Sequence, residues 1–256
     1  MKKTLLFLAI LTTAFVSCKK GSGPIINKAI DSLKVGLVAY YPLNNSAADS
    51  SGNHFDGTAY NLTSTTDRYG KPNGAYYFNG VNSYMTVQDE PQLRLNGIDF
   101  TLNSWIKIDE YNSSYGSIIM AKRGEGSTNG WNFGIAGYGD LTNYVDALGV
   151  VTYSISGGDD PYLKGNEVLD TTRWHMVTTV YTLATKQAKI YVDGNLDATS
   201  TADSLASPNS TSTAPLYIGA DFVTGEYFLK GKLDDLRIYN RALTSKEVFA
   251  LYVLPN

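Results

Sequence analysis

Ala188-Lys189-Ile190-Tyr191-Val192-Asp193-Gly194 is the stretch whose reading decides the fold. Ile190 and Val192 point one way and Lys189 and Tyr191 the other, the two-residue period of a strand with one face on a core. Asp193-Gly194 suits a two-residue turn with positive φ at both positions. The chain is therefore expected to fold back as a hairpin through Leu196-Asp197-Ala198-Thr199. The same alternation recurs in Phe100-Thr101-Leu102-Asn103-Ser104-Trp105-Ile106-Lys107-Ile108. Leu37–Tyr41 is a strand candidate stopped by Pro42, and Ala75–Phe78 and Ser83–Val87 flank the turn pair Asn79-Gly80. Further strands are expected at 117–121, 131–136, 147–155, 174–181, 215–219 and 232–239.

One stretch reads as helical. Thr244-Ser245-Lys246-Glu247 has the form of a capping box, with Val248, Leu251 and Tyr252 following as a short apolar stripe. Many short strands separated by turns specify a sandwich or a barrel. Nothing within 36–254 repeats or reads as a linker, so the expectation is one all-β domain with a short C-terminal helix.

The chain has 256 residues and a formal charge of -3, with 18% charged residues. That balance excludes a nucleic-acid binder, which needs clustered cations to displace phosphate counterions. Of the 24 acidic residues, only Glu90, Glu110, Glu125, Glu167, Glu226 and Glu247 are Glu. None has an acid two positions later, so no single strand carries the close carboxylate pair that retaining glycoside hydrolysis uses. His54 and His175 are too few for a His-rich zinc site, and no Gly-x-Ser-x-Gly elbow occurs. A non-catalytic module is expected.

Met1-Lys2-Lys3 followed by the apolar run Thr4–Val16 has the layout of a secretory leader and is too short to span a bilayer. Cys18, the single cysteine, follows Phe15-Val16-Ser17. This context resembles a bacterial lipobox, which implies lipidation of Cys18 after removal of residues 1–17. The alternative is an ordinary leader with an incidental cysteine. Loss of Lys2 and Lys3 leaves 19 cationic and 24 acidic residues, a charge of -5. Residues 18–35 then read as lipidated Cys and tether, and the lipid as the sole membrane contact of an outer-membrane lipoprotein. Whether it faces the cell surface or the periplasm stays open.

Three ordered stretches resemble the laminin-G-like, concanavalin A-like lectin/glucanase family of exported bacterial proteins, here of the lipoprotein type found in Bacteroidetes. They are Gly36–Leu43 running into Asp49–Gly57, then Phe78–Tyr84, then Arg173–Val177 with Tyr191–Gly194 and Gly231–Leu243. The resemblance implies a jelly roll of two antiparallel sheets over about 36–252. It also implies a structural calcium ion between the Asp-rich loop and the Asp-Asp strand, which places Asp49, Asn53 and Asp234 as ligands, with Asp235 less favoured. The residues themselves allow this. Calcium takes six to eight oxygen ligands, and Asp234 shares parity with the core-facing Leu236 and Ile238, where an unpaired carboxylate is costly. The alternative is that Asp49 and Asn53 only make Asx turns while Asp234 accepts backbone hydrogen bonds.

The expected function is binding of a carbohydrate. Polar loops carrying aromatic residues supply the candidates Tyr111, Tyr115, Trp131, Tyr138 and Asp159, with ring faces for sugar C–H groups and a carboxylate for hydroxyls. Buried positions for Trp131 and Tyr138 are the competing reading. A protein–protein adhesion or scaffold role, binding a surface protein, is the first alternative, and a glycoside hydrolase of the same fold the second.

Overall fold

The hairpin expected at Asp193-Gly194 is present. Asp193 and Gly194 both have positive φ, 49° and 79°, and Val192 pairs with Asn195 across a two-residue turn. This is the primed geometry that matches strand twist. The computed structural model describes residues 24–111, 116–123, 130–137, 149–155, 162–201, 205, 207–221 and 227–255. Its elements in chain order are α1 (Pro24–Ser32), β1 (Leu37–Tyr41), β2 (Gly57–Tyr60), β3 (Thr63–Thr65), β4 (Ala75–Asn79), β5 (Tyr84–Val87), β6 (Phe100–Glu110), β7 (Ser117–Arg123), β8 (Gly130–Ile135), β9 (Val150–Ile155), β10 (Tyr162–Val168), β11 (His175–Thr182), β12 (Gln187–Val192), β13 (Asn195–Thr199), β14 (Leu216–Ile218), β15 (Lys230–Tyr239) and α2 (Ser245–Val253).

The strands form two antiparallel sheets, a jelly-roll sandwich. One runs β13-β12-β11-β6-β15-β4-β3, with β1 also paired to β15; the other runs β10-β9-β8-β7-β14-β5-β2. Between them lies a single large core. Phe78, Leu102, Ile106, Val177, Ile190, Leu233 and Ile238 enter it from the first sheet, and Met85, Trp131, Phe133, Tyr153, Leu216 and Ile218 from the second. β4 and β5 belong to different sheets, so Asn79-Gly80 is a crossover between layers rather than a hairpin. Asn79 Oδ1 holds it by accepting from the backbone N–H of Val81, Asn82 and Ser83 at 2.9, 3.0 and 3.2 Å.

The outward face of the first sheet is covered by helices. α2 carries the expected capping box: Glu247 N–H donates to Thr244 Oγ1 at 3.3 Å, and Thr244 N–H donates to Glu247 Oε2 at 2.8 Å. α1 was not expected. Pro24 occupies its first position, where the missing N–H costs nothing. Ala29 and Leu33, one turn apart, are buried with Val248, Ala250 and Leu251 in a second apolar cluster under the helices. Ser32 Oγ donates to Glu247 Oε1 at 2.6 Å, and Arg241 Nη2 donates to the Ser32 carbonyl at 2.9 Å. Much of the segment expected as tether is thus docked on the sandwich. This also explains why Tyr191, on the outward side of β12, is only 2% exposed.

β15 departs from simple alternation. Asp234 pairs with Trp105 and Arg237 with Asn103, three steps on one strand against two on the other. Asp235 absorbs the extra residue at φ 50°, a β-bulge. Leu233, Leu236 and Ile238 therefore face the core, while Asp234 sits on the outward side with Arg68. The parity expected for Asp234 is corrected: the bulge resets the alternation between it and Leu236.

Candidate functional site

The Asp-rich loop is built onto β1. Asp49 Oδ1 accepts from the N–H groups of Tyr40 and Ser51 at 2.9 and 2.8 Å. Its Oδ2 accepts from Ser51 Oγ at 2.7 Å and Phe55 N–H at 3.1 Å. Asn53 Nδ2 donates to the Val38 carbonyl at 2.8 Å. The Asp49 carboxylate thus carries four protein donors, which fills its usual capacity.

Asp234 is held elsewhere. Arg68 Nη1 lies 2.5 Å from Asp234 Oδ2 and Arg68 Nη2 lies 2.7 Å from Asp235 Oδ2. The guanidinium rests 4.6 Å from the ring centres of both Tyr69 and Trp105. Tyr40 Oη donates to Asp235 Oδ1 at 2.5 Å. Burial, reinforced by the charge of Asp235, pushes the Asp234 carboxyl up to about 7, with Arg68 opposing the shift. Burial likewise pushes the Tyr40 phenol up to about 12. Asp49, Asn53 and Asp234 do not fit a calcium ion in this arrangement. Asp49 is saturated by donors, the Asn53 amide is turned toward Val38, and a guanidinium occupies the cation position beside Asp234.

The second sheet presents a different surface. Because Met85, Val87, Leu216 and Ile218 face the core, their strand neighbours face outward. Tyr60 on β2 stands directly across from Tyr84 on β5. Their rings stack at 4.6 Å between centroids and 17° between planes. Tyr217 on β14 and Phe228 lie 6.2 and 6.4 Å from Tyr84. Tyr60 is 40% exposed, and the other three are half-buried. One register row crosses this sheet through Thr58, Thr86, Tyr217, Ala121, Asn132 and Ser154, one residue per strand.

Phe228 also lines a cavity of about 180 Å³ together with Asn79, Gly80, Val81, Glu110, Tyr111 and Lys230, at the end of the first sheet where Lys230 pairs with Asn79 and Glu110. Lys230 Nζ and the Glu110 carboxylate form an ion pair there, both ends exposed. Apolar ring faces next to a few convergent polar groups are the usual make-up of a small-ligand site.

Of the candidates that fall among the described residues, only Tyr111 reaches this place. It lines the cavity while donating its hydroxyl to the Leu169 carbonyl. Trp131 is corrected to a core residue: it is fully buried and donates Nε1–H to the Leu93 carbonyl at 3.1 Å. Tyr115, Tyr138, Asp159 and Cys18 lie outside the described residues. The rings that do assemble, Tyr60, Tyr84, Tyr217 and Phe228, were not singled out. The signal was available for two of them: Tyr84 stands between Ser83 and Met85, and Tyr217 between Leu216 and Ile218, each out of phase with the apolar residues of its strand.

A two-sheet jelly roll with one face under helices and the other bearing rings beside a polar cavity defines a lectin-like sandwich. The chain belongs to the Laminin_G_3 family of the concanavalin A-like lectin/glucanases superfamily, whose family model matches residues 78–249. Among solved structures it is similar to the binding domain of Paraclostridial Mosquitocidal Protein 1, with 17% identity and a TM-score of 0.67 over 86% of this chain and 52% of that one. It is also similar to domain 4 of AbnA, a GH43 extracellular arabinanase from Geobacillus stearothermophilus, in complex with arabinotriose. That match has 19% identity and a TM-score of 0.62 over 84% of this chain and 98% of that one. A third match is a botulinum neurotoxin type C structure whose cell entry is described as dependent on interaction with two ganglioside molecules. There the identity is 15% and the TM-score 0.65, over 87% of this chain and 52% of that one. The chain spans about half the length of the two toxin chains. At these identities the likeness is one of fold. A comparison with curated proteins gives no match.

Proposed function

We propose that this protein is a non-catalytic carbohydrate-binding module that uses the ring-bearing face of the second sheet. The observation that carries the reading is the Tyr60–Tyr84 stack, joined by Tyr217 and by Phe228, which also lines the cavity with Glu110 and Lys230. A sugar ring lies on such a platform through its C–H faces, and the Glu110–Lys230 pair and Asn79 supply acceptors and donors for hydroxyls. The AbnA domain, similar along nearly its whole length and described with a bound arabinotriose, supports a saccharide as the ligand class. In this reading the lipid on Cys18 displays the module at the outer membrane. Calcium has no part in the binding face.

Affinity electrophoresis against a panel of soluble polysaccharides, followed by calorimetry on the best of them, tests the proposal. Wild type is retarded by at least one glycan and Tyr60→Ala is not. Retardation by none, with a protein partner recovered instead, replaces the reading with adhesion. Release of reducing sugar that a single Asp or Glu substitution abolishes replaces it with hydrolysis.

A further inference from the structure

At one edge of the sandwich the two sheets are tied together beside a cluster of ionisable side chains that the ring-bearing face does not use. Asp197 on β13 accepts from the backbone N–H groups of Asn166 and Glu167 on β10 at 2.8 and 3.0 Å, so a strand of the first sheet holds a strand of the second. Glu167 on β10, His175 at the start of β11 and Asp193 in the turn after β12 each offer one ligand atom there. These three atoms lie within 4.8 Å of one another. Asp170 and Arg173 stand beside them. Arg173 Nη1 donates to Asp193 Oδ2 at 2.6 Å, and Arg173 Nε donates to Asp170 Oδ2 at 3.1 Å. Met176 N–H donates to Asp193 Oδ1 at 2.8 Å, which turns Oδ2 toward the histidine.

His175 supplies an independent sign. It is 1% exposed, and its ring stands between two carboxylates. Nδ1 lies 3.2 Å from Asp193 Oδ2. Nε2 lies 3.4 Å from Asp170 Oδ2 without a hydrogen bond, so it is buried and unpartnered among these acids. A neutral imidazole has one N–H and serves one acceptor, which leaves a bare lone pair facing the other carboxylate. A cation on Nδ1 removes the conflict. It replaces the proton shared with Asp193, and the ring proton then sits on Nε2 and bonds Asp170, as ligand histidines usually bond a carboxylate behind them. Ligands about 2.0–2.1 Å from a tetrahedral zinc ion stand about 3.3 Å apart, close to the separation of Nδ1 and Asp193 Oδ2. Arg173 does not close this site as Arg68 closes Asp234: its side chain is 51% exposed against 4%, so a metal displaces it into water.

We propose that Glu167, His175 Nδ1 and Asp193 Oδ2 bind a divalent transition-metal ion of the zinc class, with Asp170 orienting the imidazole from behind. One imidazole nitrogen with two carboxylate oxygens suits such an ion, whereas calcium takes oxygen ligands alone. A single histidine is too few for a His-rich site, and here the carboxylates complete the set. Glu167 belongs to the second sheet and the other two ligands to the first, so the bound ion fastens the sheets together at this edge. The site is separate from the ring-bearing face and does not depend on its function.

The test is calorimetry and thermal denaturation of the purified chain with zinc chloride, and with calcium chloride as the oxygen-preferring counterpart. One zinc ion binds per chain and raises the melting temperature, while calcium does neither. Glu167→Gln is the decisive variant, since Glu167 is exposed and its loss leaves the fold intact. It melts with wild type in the absence of metal and binds zinc at least about tenfold more weakly. Asp170→Asn weakens binding about tenfold, the usual effect of losing the carboxylate behind a ligand histidine. Arg173→Met removes the competing cation and tightens binding, a gain that a purely structural cluster does not give. His54→Gln and Cys18→Ser leave zinc binding unchanged, because neither residue belongs to the site. No binding of zinc to wild type, unchanged affinity in Glu167→Gln, weaker binding in Arg173→Met, or loss of binding in His54→Gln or Cys18→Ser overturns the proposal.

Discussion

Arg68 Nη1 lies 2.5 Å from Asp234 Oδ2, and the two side chains are only 4% and 3% exposed. A cation supplied by the chain thus stands beside the carboxylate for which a calcium ion was expected. The difference matters physically, because a guanidinium is covalently present at every calcium concentration and stacks on Trp105 and Tyr69 in addition to pairing.

Arg68→Met is expected to destabilise the fold by about 3–5 kcal/mol, the usual consequence of leaving a buried charge without its partner. Urea denaturation measures it. Adding Asp234→Asn to Arg68→Met should recover part of the loss, because the orphaned charge is removed. Wild type should melt at the same temperature in calcium, magnesium and chelator. A rise specific to calcium would return the metal to this loop.

The pH dependence of stability should carry the signature of Asp234. Its carboxyl is raised from 3.8 to about 7 in the folded state, so between those values the folded chain holds a proton that the unfolded chain has released. Stability from this group is full below about pH 4 and falls as pH rises toward 7. Asp234→Asn should flatten that part of the profile. An unchanged slope across the same window in chemical denaturation would contradict the assignment.

Two aromatic substitutions should separate binding from packing. Tyr60→Ala removes a 40% exposed ring and should abolish glycan retardation while costing well under the core-deletion range. Trp131→Ala removes a fully buried ring and the bond from its Nε1–H to Leu93, and should cost about 3–5 kcal/mol. Paired denaturation and affinity measurements on the two variants decide this; equal stability losses would place the rings wrongly.

α1 should behave as part of the domain. Leu33→Ala deletes a side chain 6% exposed in the cluster under the helices and is expected to cost about 2–4 kcal/mol. Lys34→Ala, one residue on and exposed, should change stability by less than about 0.5 kcal/mol. Indistinguishable denaturation midpoints for the two would restore the tether.

What could be read from the sequence alone was local. The Asp193-Gly194 hairpin follows from two adjacent residues that tolerate positive φ between alternating strands. The start of α2 follows from Thr244 and Glu247, three residues apart. Most of the strands and the fold class follow from the same short-range period, whereas β2, β3 and β10 were not expected. The pairings that make the sites are not local: Arg68 meets Asp234 across 166 positions, and the ring platform draws on three strands and the approach to β15. Strand parity could place Tyr84 and Tyr217 on an outward face, but only sheet order could set Tyr60 beside them. The extra residue at Asp235 inverted the side assigned to Asp234, since a bulge resets alternation without any change in residue type. Trp131 shows the same limit: a strand at 131–136 was expected, but only its place in the sheet turns the indole inward. Backbone preference acts over a few residues and is legible along the chain, whereas burial, charge pairing and ring contacts depend on which distant segments the closed sandwich brings together.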